Sequence, residues 1–565
     1  MKNLSLILKI LVCIALFQCS DLKAQDTVRV RPFGSTVGKL MQEKLNIHVP
    51  DNGDGTYSNP VMPNSHWSDP SLLRVGDDFY CMSSSIEHSP LMQVLHSKDL
   101  VNWDVIGSVI RFWPEDLPPV YNWSPRLCYV NKKFRVMGHM SLQTLCVWES
   151  DKPEGPYQRV FHNFTNMAWE WAPTIFEEKD GRKYMYAGTW IQEVDERALS
   201  FVGERINTVK GTLLENASII KKGEYYYWFM AQNGDRPFGT TTNNGKTSVW
   251  RSKKITGPYE GDIDVILGSN RFQCPNSGSA VQGPDDKWYY AYNAVDITKQ
   301  MMCRQMLLEK LEWNSQGWPY VIGNYRPSIV NTKPINNFKP TYFPDLNDEF
   351  SNTELEGISE GILGRKWLFK AEKNNAWNLE YKKGWMRLNC LYPSMNDLSV
   401  SNFMCQRPTG AYYTIETRMI YKPMHLFQQA GLAVKELCSG NGASIGLVAD
   451  WLNDTDTSYS VVVSHGLTEG WREVSREHIN FPNENKMKDI YLKMEVNNIQ
   501  IKCFYSFDGK SWKSFGKSWG YFMETTPWRS YWSTFYPGIF AGSTMPGPNG
   551  AFALFDYFKH ENFDR

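Results

Sequence analysis

The stretch HWSDPSLLRVGDDFYCMSSS, residues 66–85, returns in altered form four more times along the chain. The variants are YNWSPRLCYVNKKFRVMGHM at 121–140, WEWAPTIFEEKDGRKYMYAG at 169–188, LLENASIIKKGEYYYWFMAQ at 213–232 and PNSGSAVQGPDDKWYYAYNA at 275–294. Each passes from a small or polar residue through an apolar pair and a charged turn into an aromatic-rich run. The starts are roughly 45–60 residues apart, a period that belongs to repeat architectures. Each block reads as a hairpin of a strand, a turn and a second strand. Five such units predict a five-bladed β-propeller whose first strands line the axis. Asp69 and Glu215 fall on what read as matching positions of the first and fourth blocks, so both carboxylates are expected to face one central pocket.

Outside the repeats the pattern changes. Residues 1–25, MKNLSLILKILVCIALFQCSDLKAQ, carry Lys2 and Lys9 around an apolar run ending near Phe17. They are predicted to be a signal peptide cleaved near Ala24 or Gln25. An exported protein, periplasmic or secreted, is therefore expected, with a lipoprotein acylated at Cys19 as the alternative. The apolar run is short for a membrane span, and no later segment is long and apolar enough for one. Residues 26–60 form a lead-in, 61–325 the propeller and 326–347 a Pro- and Asn-rich linker. In residues 348–565 short alternating runs dominate. Tyr413, Ile415, Thr417 and Met419 alternate with Thr414, Glu416 and Arg418, and Leu492, Met494 and Val496 alternate with Lys493 and Glu495. Period-two alternation marks half-buried strands, and Asn497-Asn498 and Asp508-Gly509 mark hairpin turns. The predicted fold class is all-β, a five-bladed propeller followed by a C-terminal antiparallel β-sandwich.

With 60 basic and 60 acidic residues the formal net charge is zero. That balance argues against a nucleic acid or an anionic membrane as the partner. Aromatics make up 14% of the chain, including 22 Trp. Most belong in strand cores, and the remainder are suited to stacking on sugar rings. Nine cysteines follow the signal segment, odd in number and without a C-x-x-C pair. Neither a disulfide framework nor a zinc site is expected. The chain lacks H-E-x-x-H, a Gly-rich phosphate loop and G-x-S-x-G, which weakens metalloprotease, nucleotide-dependent and serine-hydrolase readings.

Two carboxyl groups suit hydrolysis of a glycosidic bond. One, protonated, gives its proton to the leaving oxygen, and the other acts as base or nucleophile. Asp69 and Glu215 are the candidates, because each sits among small, apolar or Pro neighbours where an unpaired charge is costly. Trp67, Trp123, Trp169, Trp171 and Trp190 lie at or near block starts, and two or three of them are expected to touch a sugar. Specific segments then carry a family resemblance. SDPSLLRVGDDFY from Ser68, HSKDLVNW from His96, NWSPRL from Asn122, LENASII from Leu214 and CRQMLLEKLEW from Cys303 resemble glycoside hydrolase family 43, especially its two-domain β-xylosidases and α-L-arabinofuranosidases. The likeness runs through GWPYV into the second domain, with FQQAGLAV from Phe427. It implies a general base at Asp69, a general acid at Glu215, Trp123 in a sugar-stacking position, Arg304 reaching the active centre and His88 in a loop bordering the subsite. Three readings stay open for Arg304: a hydrogen bond to a sugar hydroxyl, support of Glu215, or a structural ion pair.

At two positions the chain departs from the family. Ala172 stands where the third blade carries an Asp that orients and tunes the acid, and Ser277 stands nearest to a fifth-blade His on the axis. Without that carboxylate, Glu215 loses the like-charge repulsion that keeps a general acid protonated near working pH. Glu170, two residues before Ala172, is the candidate replacement for pKa tuning, on the argument that strand periodicity points both side chains the same way. The competing readings are an ion pair for Glu170 at the rim and burial alone acting on Glu215. No cofactor is required and no metal ligand is assigned; the family's axial calcium loses support at Ser277. The resemblance implies an inverting exo-glycosidase acting on terminal pentoses of plant-type oligosaccharides or polysaccharides. The alternatives are another sugar, such as a galactoside, and a carbohydrate-binding propeller of little activity. Ala172 and Ser277 favour the binding reading, while Asp69, Glu215 and Arg304 oppose it.

Overall fold

The computed structural model describes residues 48–563, apart from 63, 65, 86–87, 113–121, 140–144, 166, 168–169, 211–213, 233–244, 336–344, 353, 356–363, 370–375, 393–401, 438–440, 453–456, 468–469, 483–484, 486, 521–533 and 547–549. The expected signal segment, Cys19 and Trp169 lie outside the described residues.

The chain folds as a five-bladed β-propeller followed by a concanavalin A-like β-sandwich. Blade one comprises Ser71–Val75, Asp78–Met82, Leu91–Ser97 and Asp104–Ile110. Blade two comprises Arg126–Val130, Lys133–His139, Leu145–Ser150 and Gln158–Val160, and blade three Thr174–Glu177, Lys183–Ala187, Trp190–Val194 and Ile206–Asn207. Blade four comprises Leu214–Lys222, Tyr225–Gln232, Lys246–Ser252 and Glu260–Leu267, and blade five Phe272–Gln282, Trp288–Asp296, Arg304–Trp313 and Pro319–Val321. Every blade is a four-stranded sheet in sequence order. The repeated blocks are the first two strands of each blade, joined by the tight turns expected of them.

Among the described residues no blade buries a core of its own. The aromatic second strands lie between blades, and the apolar clusters straddle the seams. Tyr80 meets Phe134 edge-on between blades one and two, with ring centroids 5.3 Å apart. Tyr186 meets Trp228 at 5.6 Å between three and four, and Phe229 stacks on Tyr290 at 5.5 Å between four and five. Between two and three, Met137 and Val147 pack with Ile175 and Met185. Such aromatic pairs contribute about 0.5–1.5 kcal/mol each beyond the area they bury. Much of the propeller's aromatic content goes here.

The seam between blades five and one has no direct chain connection across it. The lead-in and the linker close it instead, as Thr56–Ser58 pairs antiparallel with Val330–Thr332. Tyr57, Val61 and Met62 fill the apolar cluster of this seam. The Tyr57 hydroxyl donates to the Leu308 carbonyl at 2.9 Å. Two buried polar hubs complete the closure. The Lys333 ammonium pairs with Asp51 and lies 3.4 Å from Asp99, and Asn102 Nδ2 donates to both carboxylates at 2.8 Å. The Glu309 carboxylate accepts from Asn59 Nδ2 at 2.9 Å, Ser328 N at 2.9 Å, Ser328 Oγ at 2.7 Å and Asn331 Nδ2 at 2.8 Å. Burial outweighs these donors and pushes Glu309 up to about 7.

The second domain packs two antiparallel sheets face to face. One runs Leu368–Phe369, Asn402–Cys405, Phe535–Ser543, Gln428–Glu436, Gly442–Leu452, Thr457–Leu467, Gly470–Ile479. The other is centred on Tyr412–Lys422, Asp489–Asn497 and Gln500–Ser506. The expected alternation is present, with Ile415, Met419, Leu492, Met494 and Val496 buried in the inter-sheet core. Asn498 takes the left-handed conformation (φ 49°) and Gly509 does likewise (φ 69°) at the two predicted hairpin turns. The sandwich docks on blades one and five. Ser89 bridges to Phe369, Arg365 donates to the Val105 carbonyl at 3.0 and 3.1 Å, and the Thr534 hydroxyl donates to the Met301 carbonyl at 2.9 Å.

Replacing Lys333 by Met leaves two buried carboxylates without their cation, and urea unfolding is expected to report a loss of about 3–5 kcal/mol. Glu309 supplies a pH signature. Between its ordinary pKa of 4.5 and about 7 the folded state keeps a proton that the unfolded chain releases. Stability from this residue therefore falls as pH rises through that window, by roughly 3 kcal/mol, and is level on either side. Glu309→Gln is expected to flatten that slope in urea melts taken from below to above the window.

Candidate active site

Each inner strand is preceded, or in blades four and five interrupted, by a residue with left-handed backbone. These are Asp69 (φ 55°), Ser124 (φ 47°), Ala172 (φ 56°), Asn216 (φ 52°) and Ser277 (φ 52°). Asp and Asn adopt this region more readily than other side chains, so the small or polar position of each block answers a backbone demand. This register corrects one expectation. Asp69 and Glu215 do not occupy matching positions: Asp69 aligns with Asn216, and Glu215 falls one residue earlier, level with Ser68, Trp123, Trp171 and Asn276. The first four blocks as quoted already carry Asp69, Ser124, Ala172 and Asn216 at their fourth position and Glu215 at the third, and the backbone conformation agrees with that register.

Asp69 is 1% exposed and is held from three blades. Its Oδ2 accepts from the Ser84 hydroxyl at 2.5 Å and the Ser68 hydroxyl at 3.2 Å. Arg304 Nη1 lies 3.2 Å from Oδ1 and 3.5 Å from Oδ2. The Asp69 amide donates to Asn293 Oδ1 at 2.9 Å, and Asn293 Nδ2 donates to Asn276 Oδ1 at 2.7 Å. Ser84 Oγ also accepts the Ser124 amide at 2.8 Å, bringing in blade two. Arg304 thus forms an ion pair, and Asp69 is its carboxylate partner. The same guanidinium lies 5.7 Å from the ring centroid of the half-buried Trp123. A second guanidinium, Arg126, is 2% exposed and donates to the Pro70 carbonyl at 3.4 Å. Burial lowers its pKa, and Asp69 is among the groups that pull it back up.

Glu215 is half-buried at the start of blade four, where a bulge between Glu215 and Ser218 breaks the pairing with the second strand. It opens on a cavity of about 430 Å³ whose lining includes Glu170, Trp171, Trp190 and Arg205. The next residue, Asn216, donates from Nδ2 to Ser277 Oγ at 2.6 Å, so Ser277 ties blade five to blade four. Ala172 is fully buried. Glu170 does not follow strand periodicity, because the strand begins at Thr174 and Ala172 is left-handed. Its Oε1 instead accepts from Arg205 Nη1 at 3.1 Å, which is the rim ion pair. A cation so close offsets much of the field Glu170 would exert on Glu215.

The other aromatic candidates divide. Trp171 lines the cavity, 6.5 Å from the His139 ring, whose pKa burial lowers. Trp67 is 1% exposed, its indole N–H donating to Asn64 Oδ1 at 2.8 Å and its ring facing Arg407 of the sandwich at 4.2 Å. His88, equally buried, meets Tyr536 edge-on at 5.9 Å. Trp67 and His88 thus join propeller to sandwich. Sequence reasoning missed Ser84, Asn293, Arg126 and Arg205. The first three lie inside the repeated blocks but carry no distinguishing pattern, and Arg205 lies between blocks. Among the described residues no group of three or more His, Cys, Asp or Glu could hold a metal ion. No helix among them is long and apolar enough to cross a membrane.

Comparison with known proteins agrees with this architecture. Residues 57–319 match the family model of glycosyl hydrolases family 43, and residues 358–561 match the β-xylosidase C-terminal concanavalin A-like domain. The chain belongs to family 43 of the glycoside hydrolases, in its two-domain form. It is 25% identical over 540 residues to a xylan 1,3-β-xylosidase of a Vibrio species, covering 84% of this chain and 92% of that one. It is 25% identical over 440 residues to the non-reducing end α-L-arabinofuranosidase BoGH43B of Bacteroides ovatus, covering 71% of this chain and 79% of that one. A solved structure of xylan β-1,4-xylosidase from Bacillus halodurans superposes with a TM-score of 0.74 at 22% identity, covering 89% of this chain and all of that one, a likeness of fold.

Removing the shortest bond to Asp69 tests how the carboxylate is held. Ser84→Ala is expected to lower kcat on an aryl glycoside by about 10–100-fold, the worth of one hydrogen bond to a charged group. Arg304→Met is expected to lower it further, with circular dichroism checking that each variant is folded.

Proposed function

We propose that this chain is an exported, inverting exo-glycosidase that removes terminal pentoses, of β-xyloside or α-L-arabinofuranoside type, from plant-type glycans. One observation carries the reading: a buried, rigidly held Asp69 on blade one and a half-buried Glu215 on blade four, two blades that are not neighbours in the ring. An inverting pair needs room for a water beside the sugar, and carboxylates on separated blades suit that need. Asp69 takes a proton from the water as its oxygen attacks the anomeric carbon. Glu215 gives its proton to the departing glycosidic oxygen, so the leaving group departs as an alcohol and the sugar inverts. Ser84, Ser68 and Arg304 fix the orientation of the Asp69 carboxylate, and Trp123 offers a face beside Arg304. The xylosidase and arabinofuranosidase names of its relatives support a pentose. The charged and apolar pattern of residues 1–25 supports export. Mass spectrometry of the protein from cells is expected to find a start near Asp26; a lipid-modified Cys19 would establish the anchored form instead.

The deciding assay is release of sugar from aryl β-D-xyloside, α-L-arabinofuranoside and β-D-galactoside, with the anomer of the product followed by proton NMR. Turnover of one pentoside with inverted product is expected, and Asp69→Asn and Glu215→Gln are each expected to lose about 10²–10⁴-fold in kcat. Retained configuration would remove the single-displacement mechanism. Turnover of the galactoside alone would move the substrate, and glycan binding without turnover would favour the binding propeller that Ala172 permits.

A further inference from the structure

The cavity beside Glu215 belongs to one side of the site only. Its lining includes Glu170, Trp171, Trp190, Arg205 and Asn207 with Glu215, and none of Asp69, Arg304 or Trp123. Its volume, about 430 Å³, falls in the range of small-molecule sites, roughly 300–1,000 Å³. If the reacting sugar lies between base and acid, the space beyond the acid and away from the base receives the group that departs. We infer that this cavity is the leaving-group subsite, and that it recognises a neutral sugar through two adjacent hydroxyls. The inference rests on the hydrolase reading above and adds the partner that reading leaves open.

The side chains fit that ligand. Arg205 lies over the Trp190 ring with its guanidinium carbon 3.9 Å from the centroid, which holds the planar group flat. Its Nη1 is 3.1 Å from Glu170 Oε1, and both side chains stay about a quarter exposed, at 28% and 25%. A guanidinium edge beside a carboxylate sets donors next to acceptors. Two neighbouring hydroxyls match that arrangement, one accepting from Arg205 and the other donating to Glu170. The pair is electrically neutral, so an acidic substituent gains no net attraction and meets repulsion from Glu170. Trp171, half-buried on the same wall, offers apolar surface to sugar C–H groups. Glu170 is then a binding residue for the leaving group, which accounts for its ion pair better than a tuning role does.

The test compares three substrates that share one reacting sugar: xylobiose, methyl β-D-xyloside and β-D-xylosyl fluoride, or the α-L-arabinofuranosyl set if the aryl panel selects that sugar. Xylobiose needs the acid and a bound leaving sugar, the methyl glycoside needs the acid alone, and the fluoride needs neither. In Arg205→Ala and Glu170→Gln the kcat/KM ratio of disaccharide to methyl glycoside is expected to fall by about tenfold or more, as when a hydroxyl loses its partner. Arg205→Lys is expected to fall between parent and Ala variant, and it carries the test if the Ala variant is inactive on all three. A ratio that stays within about twofold overturns the subsite. So does a fall in the methyl-to-fluoride ratio alone, which would mean that Arg205 acts through proton transfer from Glu215. Failure of the parent protein to turn over the fluoride overturns the hydrolase reading itself, and the subsite with it.

Discussion

Closure of the seam between blades five and one is the constraint on which the remaining structure depends. Apolar clusters bridge each pair of neighbouring blades, so a blade without neighbours exposes both faces. Four seams lie between blades that follow one another in the chain, whereas the fifth joins ends more than two hundred residues apart. That seam receives the antiparallel pair of lead-in and linker, the Lys333 hub and the buried Glu309 hub. The same seam builds half of the active site. Asp69 opens blade one, whereas Arg304 and Asn293, which hold its carboxylate and its amide, belong to blade five. The Asp69 carboxylate is therefore held in place only when the ring is shut, which links folding to the site proposed for it.

The two sides of the site are built for different demands. On the Asp69 side the carboxylate and the residues bonded to it are buried, and the sandwich reinforces them. Arg407 covers the outer face of Trp67, two residues from Asp69, and Thr534 ties down Met301 close to Arg304. In the proposed role of general base Asp69 gains from such rigidity, because a small misplacement costs rate. On the Glu215 side that residue is half-buried and faces a cavity with an exposed mouth at Asn207, open enough for the leaving group proposed to enter and depart there.

Arginine organises the charge of this site. Asp69 has Arg304, Glu170 has Arg205, and Arg126 lies buried near Asp69. Ala172 stands uncharged at a position where the resemblance implies an Asp. The left-handed backbone at that position does not demand the change, since Asp69 and Asn216 adopt the same conformation with polar side chains.

Much of this was legible in the sequence because it depends on periodicity. The five aromatic-rich blocks specify blades, since a strand that alternates and a turn that must be tight leave few other solutions. The alternation from Tyr413 to Met419 specifies a sheet with one buried face. Both carboxylates could be chosen because each breaks an apolar surround. What the sequence did not hold was anything that depends on contacts between distant segments. It could not assign Arg304 to Asp69, Arg205 to Glu170, or Trp67 to the sandwich, since these partners are 35 to several hundred residues apart. The sequence by itself determined the blades and the sandwich and singled out two carboxylates as candidates, because local pattern and local chemistry suffice for that. Only the tertiary structure decided which cation serves which carboxylate and which tryptophan meets solvent, because ring closure and domain docking bring those groups together.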